Sequence, residues 1–213
     1  MISVRYNFFS PRIGKNASST TVSFFKEIDP NLIEEGHEAI LDTGLHGFLQ
    51  GNHRTNIALR LPVKLQGMYK FAFVRNPLDR FISAWKEFSN PTSFVPLKNE
   101  ARLKYDIEKA QQSLTAFIDL TDEYKHIHWE SQIDLISHES KILVDDIYYF
   151  ENLEEDLLTI CEKVGIKKTQ IPNIPHIRKS NRKSDYLSYY SSEDLSRIEK
   201  RYELDLNTFY NDR

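Results

Sequence analysis

The chain has 213 residues, 40% of them hydrophobic and 12% aromatic, too apolar for a disordered chain and long enough for one α/β domain with its own core. Its 28 Lys plus Arg against 31 Asp plus Glu leave a formal charge of -3, which excludes wholesale nucleic-acid binding. No apolar run approaches the roughly 18 residues of a spanning helix, residues 1–10 show no secretory core, and the lone Cys161 excludes an internal disulfide framework or a Cys-based zinc site, so a cytoplasmic globular protein is expected.

Residues 4–9 are β-branched and aromatic and stop at Ser10-Pro11, which predicts a strand. Ser18–Ile28 places Val22, Phe25 and Ile28 at helical spacing behind a hydroxyl-rich start. Tyr69–Val74 (YKFAFV) reads as a buried strand. Asn76-Pro77 ends it, and Pro77 suits the first turn of a helix whose face is Leu78, Phe81, Ile82 and Trp85. Residues 90–110 form a polar loop leading into a charged helix, and 114–120 another helix. Residues 142–150 (ILVDDIYYF) predict a strand. Leu153, Leu157, Ile160, Cys161 and Val164 form a helical stripe ended by Gly165. Residues 171–183 make a loop with two prolines, and 193–209 a final helix. No repeat or flexible linker interrupts the chain, so residues 1–213 read as one domain. Its strands alternate with helices, as in a mostly parallel sheet covered on both faces, and ligands of such sheets sit beyond the carboxyl ends of the strands.

Two strand-to-helix turns are suited to holding anions. The first runs Arg12-Ile13-Gly14-Lys15-Asn16-Ala17-Ser18-Ser19-Thr20-Thr21. Backbone N–H groups at a helix start attract phosphate or sulfate, small residues allow close approach, and Lys15 adds a mobile charge. It is not a Walker A loop, because the first Gly is missing and Asn16 stands where a hydroxyl would hold magnesium. An ordinary capped helix is the plain alternative. The second turn delivers Arg75 to the end of a buried strand, and Ser83 follows eight positions later, about two helical turns on. A forked donor plus a hydroxyl suits a phosphate monoester. Asp79 and Arg80 read as residues that lock this turn.

The segments "IGKNASSTT" and "FAFVRNPLDRFISAW" resemble the two cofactor motifs of the sulfotransferase family, specifically its family-2 carbohydrate sulfotransferases. "HIHWESQ" at 126–132, "YYFENLEEDL" at 148–157 and the Tyr-rich closing segment are similar to it too. The resemblance implies an α/β domain with a P-loop-like strand–loop–helix and a donor, 3'-phosphoadenosine 5'-phosphosulfate (PAPS), that leaves as 3',5'-ADP (PAP). On that likeness Arg12, Gly14, Lys15, Asn16, Ala17, Ser18, Ser19 and Thr20 cradle the 5'-phosphosulfate, Lys15 contacts the leaving oxygen, and Arg75 with Ser83 takes the 3'-phosphate. Arg182, in the basic run Arg178, Lys179, Arg182 and Lys183, closes over the donor.

In-line sulfuryl transfer needs prepositioned donors and no obligatory metal. It also needs a base for the acceptor hydroxyl. His46, in "TGLHGF", resembles the catalytic His-Gly segment of uronosyl 2-O-sulfotransferases, although Phe48 stands where that group has a second His; an exposed His46 without a role is the alternative, and His37 and Glu38 come next. His126, His128 and Glu130 line structure or substrate rather than a metal. The implied acceptor is a carbohydrate hydroxyl, in the cytoplasm, or in the Golgi lumen if the sequence was cut from behind an anchor. Two rivals are a kinase-like phosphotransferase and a non-catalytic adenine-nucleotide-binding protein.

Overall fold

The computed structural model describes residues 1–34, 67–89, 107–174 and 185–211. They fall into two compact units, one drawn from residues 1–75 and 132–178 and the other from 76–131 and 179–213.

The first unit holds a four-stranded sheet in the order β1 (Ile2–Ser3), β2 (Phe8–Phe9), β3 (Tyr69–Val74), β6 (Asp146–Tyr149). β2 and β6 both pair with β3 in parallel, and β1 pairs antiparallel with β2. The sheet is therefore mixed and mostly parallel. The expected strand over 4–9 is a hairpin instead: Val4 is 69% exposed in a turn that Asn7 closes at φ 53°, a left-handed conformation that Asn tolerates. The expected strand over 142–150 is also divided. Lys141–Ile142 forms β5, which pairs antiparallel with β4 (Ser137–His138) through a turn with positive φ at both Glu139 and Ser140. Only the DIYY segment joins the main sheet.

Alternation along β3 sends Phe71 and Phe73 to one face. There they pack with Phe8 and Tyr148 against Phe24, Phe25 and Ile28 of α1 (Ser18–Ile28). Leu157, Ile160 and Cys161 of α6 (Leu153–Lys163) join the same cluster. Phe71 sits at its centre, with four rings within 6.2 Å besides that of Phe73. Burial pushes the Cys161 thiol up to about 11, as befits a core residue. α6 ends as its sequence predicts: Gly165 takes φ 75°, its N–H donates to the Glu162 carbonyl, and the Ile166 N–H donates to that of Cys161, a Schellman closure. At the opening ends of β3 and β6 the Tyr69 hydroxyl donates to Asp146 at 2.6 Å, and burial raises its pKa above the ordinary phenol value.

The second unit is helical. α2 (Pro77–Phe88) opens with Pro77 behind Asn76, whose side chain accepts the Leu78 N–H at 3.0 Å. Its apolar face packs on Ala110 of α3 (Ile107–Gln112), Phe117 of α4 (Leu114–Glu123), Ile198 of α7 (Ser192–Arg201), Trp129 and Tyr202. The expected single helix over 193–209 is two, because Tyr202, at φ -105° and ψ 21°, separates α7 from α8 (Glu203–Phe209). Its buried hydroxyl donates to the Trp129 carbonyl. Burial, opposed by the charges of Arg80 and Arg201, pushes its pKa up to about 12. α5 (Gln132–Ile136) belongs to the first unit. No helix among the described residues is long and apolar enough to cross a membrane.

Phe71→Ala should lower the unfolding free energy by about 3–5 kcal/mol; a smaller loss in urea titrations would mean that this ring is not the hub of the sheet core.

Candidate active site

The carboxyl ends of β2 and β3 carry both expected turns. After β2 the chain runs through residues 10–17 into α1, and two of these residues, Lys15 at φ 71° and Ala17 at φ 57°, sit in the left-handed region. For residues other than Gly that conformation costs about 1–2 kcal/mol each. Ala17 is the N-cap of α1, has no side-chain oxygen to cap it, and no acidic side chain occupies the first turn. A helix start without a capping oxygen or an acid in its first turn keeps the positive end of its dipole. Ser18 and Ser19 are half-buried there. Thr21, by contrast, turns its hydroxyl back to the Ala17 carbonyl at 3.1 Å, and Thr20 is buried.

A small open hollow of about 20 Å³ adjoins this turn, with Ser10, Arg12, Asn16, Ser18, Glu34 and Phe73 among its walls. Arg12, exposed, is the loop cation on that wall. Lys15 is half-buried and is not among the lining residues.

Arg75 follows the last residue of β3 and is only 4% exposed. Its Nη1 donates to the Lys15 carbonyl at 2.9 Å, and its guanidinium lies 4.0 Å from the centre of the Phe150 ring, a stacking geometry that suits a planar cation. The strand-end guanidinium thus braces the first turn directly.

Asn16 does not stand in for a magnesium-holding hydroxyl. It is 2% exposed, and its Nδ2 donates at 2.7 Å to both the Phe73 carbonyl and Gln132 Oε1. Its Oδ1 is buried without a partner among the described residues. Gln132, fully buried, also accepts the Arg75 N–H at 2.9 Å and donates to the Arg75 carbonyl at 2.8 Å. Sequence reasoning missed the parts played by Gln132 and Phe150, although both lie in the quoted segments "HIHWESQ" and "YYFENLEEDL". The available signal was position: each sits just outside the carboxyl end of a strand or opens the helix beside one.

Ser83 is a buried residue of α2, one turn after Asp79, in the second unit. Arg80, 1% exposed, holds the 127–130 segment, with Nη1 donating to the Glu130 carbonyl at 2.6 Å and Nη2 to that of Ile127 at 2.7 Å. Burial pulls its pKa below the ordinary guanidinium value, against the charges of Tyr202, Asp205 and Glu130. His126 and His128 face each other edge-on at 4.6 Å, and Trp129 packs against His126 at 4.8 Å. The Trp129 indole donates to the Tyr124 carbonyl, a packing role. No three His, Cys, Asp or Glu among the described residues are placed to hold a metal ion. His37, Glu38, His46, Arg178, Lys179, Arg182 and Lys183 lie outside the described residues.

A family model described as "Sulfotransferase family" matches residues 1–211. A carbohydrate sulfotransferase 10 from Xenopus laevis is 28% identical over 171 residues, covering 68% of this chain and 48% of the relative. The chain thus spans about half the length of that relative. No solved structure matches the chain.

Relief of a left-handed alanine should outweigh the added freedom of the unfolded chain. Ala17→Gly is therefore expected to raise the unfolding free energy by about 0.5–1 kcal/mol, read as a higher urea midpoint at constant slope. A lower midpoint would place residue 17 outside the left-handed region.

Proposed function

Because the chain belongs to the sulfotransferase family, we propose that it transfers a sulfuryl group from PAPS to a carbohydrate hydroxyl and releases PAP. The observation that carries the reading is the α1 start, with no side-chain cap and no acid in its first turn, beside a hollow that Arg12 helps to wall and braced by a strand-end arginine. The relative's name supports a carbohydrate acceptor, and one family match spanning both units supports a single sulfotransferase domain over residues 1–213.

In this reading the turn after β2 is a P-loop-like cradle for the 5'-phosphosulfate. Gly14, Asn16 and Ala17 bring the backbone close, and Ser18, Ser19 and Thr20 present the helix N-terminus. The acceptor oxygen attacks sulfur in line while the bond from sulfur to the bridging oxygen breaks, and the leaving 5'-phosphate gains negative charge. Arg12 and Lys15 are the cations available to meet that charge. Arg12 is the stronger choice because it helps to wall the hollow, whereas Lys15 acts through its backbone carbonyl on Arg75. Arg75 takes the 3'-phosphate, and His46 receives the acceptor's proton; the ordinary imidazole pKa near 6.5 suits that work. The chemistry calls for no metal, since ammonium, guanidinium and N–H groups supply the needed charge.

A thermal-shift comparison of 3',5'-ADP, ADP and ATP with magnesium tests the donor class. 3',5'-ADP at a hundredfold excess over its Kd should stabilise the protein by about 2.7 kcal/mol, and the other two much less. Equal or larger shifts with ATP would point to a phosphotransferase. Arg75→Ala should weaken 3',5'-ADP by about 2–4 kcal/mol and 5'-AMP by less, as measured by calorimetry; equal losses would leave Arg75 only its brace on the first turn. Arg12→Ala should depress sulfuryl transfer more than Lys15→Ala, and the reverse order would return the leaving-group role to Lys15.

A further inference from the structure

We infer that Gln132 is a positioning residue that sets the first turn and Arg75 in register, so that both ends of the donor meet a preformed site. The inference rests on the donor assignment above. The primary amide of Gln132 pairs with both the N–H and the C=O of Arg75, at 2.9 and 2.8 Å, as a neighbouring strand would. The same Oε1 also accepts from Asn16 Nδ2 at 2.7 Å. One side chain therefore ties positions 16 and 75, which are 59 residues apart. The link is directional. Asn16 Nδ2 is flanked by two acceptors, Gln132 Oε1 and the Phe73 carbonyl, so flipping the Asn16 amide would set oxygen against oxygen. Asn16 is thereby held in one orientation and cannot rotate to offer its donors to a ligand. Arg75 Nη1 closes the loop by donating to the Lys15 carbonyl. The ring 16–132–75–15 is buried on the Asn16, Gln132 and Arg75 sides, where an unmade hydrogen bond is costly. Packing alone explains none of this: an apolar residue at 132 would fill the space and leave the Arg75 backbone groups bare.

The test uses Gln132→Ala and, should that variant fail to fold, the near-isosteric Gln132→Glu, which keeps the acceptor and loses the donor to the Arg75 carbonyl. Hydrogen exchange is followed in peptides covering 11–25 and 70–80, without ligand, and 3',5'-ADP affinity is measured alongside. Expected is faster exchange in both peptides together, with residues 153–163 unchanged, and affinity reduced about tenfold or more, the worth of a buried hydrogen bond or two. Unchanged exchange in 11–25 would overturn the tie between the turns. Faster exchange with unaltered 3',5'-ADP affinity would overturn the positioning role and leave Gln132 a support of the fold alone. If the unaltered protein bound no 3',5'-ADP, the donor assignment would fall, and the exchange data would still decide whether Gln132 joins the two turns.

Discussion

A parallel strand buried on both sides must find partners for the peptide groups at the end where it stops. β3 stops at Val74, and the next N–H and C=O have no strand beside them. An amide side chain from the start of α5 meets both. This is the constraint on which the rest of the site depends. Because a side chain and not another strand closes the ladder, the edge beyond Val74 stays available to the turn after β2, and an arginine can be presented there with its backbone already satisfied.

The strain at residues 15 and 17 belongs to the same arrangement. Two left-handed residues other than Gly and a helix without a capping oxygen are local choices that a chain built only for stability would avoid. They persist because the surroundings hold them: Arg75 on the Lys15 carbonyl, Asn16 on Phe73 and Gln132. The result is a helix start that carries no side-chain cap and no acid in its first turn. The core beneath, a cluster of phenyl and phenol rings around Phe71, supplies the rigidity that lets such a turn exist.

Much of this was legible from residue order alone. The YKFAFV run, Pro77 behind Asn76, the Gly165 stop and the apolar face of α2 each combine a pattern with a breaker, and each appears where the pattern puts it. The failures share a cause. Residues 4–9 and 142–150 look like unbroken strands because β-branched and aromatic residues continue through turns whose geometry rests on backbone angles at Asn7, Glu139 and Ser140, and such angles leave only a weak trace in composition. The division at Tyr202 is equally quiet, since a buried tyrosine fits a helical stripe as well as a break. At the candidate site, Lys15, Arg75 and the hydroxyl cluster stand out in the sequence by charge and type. Gln132 and Phe150 did not, because neutral amides and rings acquire their roles only from what lies beside them in space.

The placement of the two indoles has a practical consequence. Trp85 and Trp129 both belong to the helical unit, and residues 1–75 and 132–178 contain no tryptophan. Emission excited at the red edge therefore reports on the helical unit alone, whereas tyrosines lie in both units. Loosening of the helical unit can thus be observed without attaching any label.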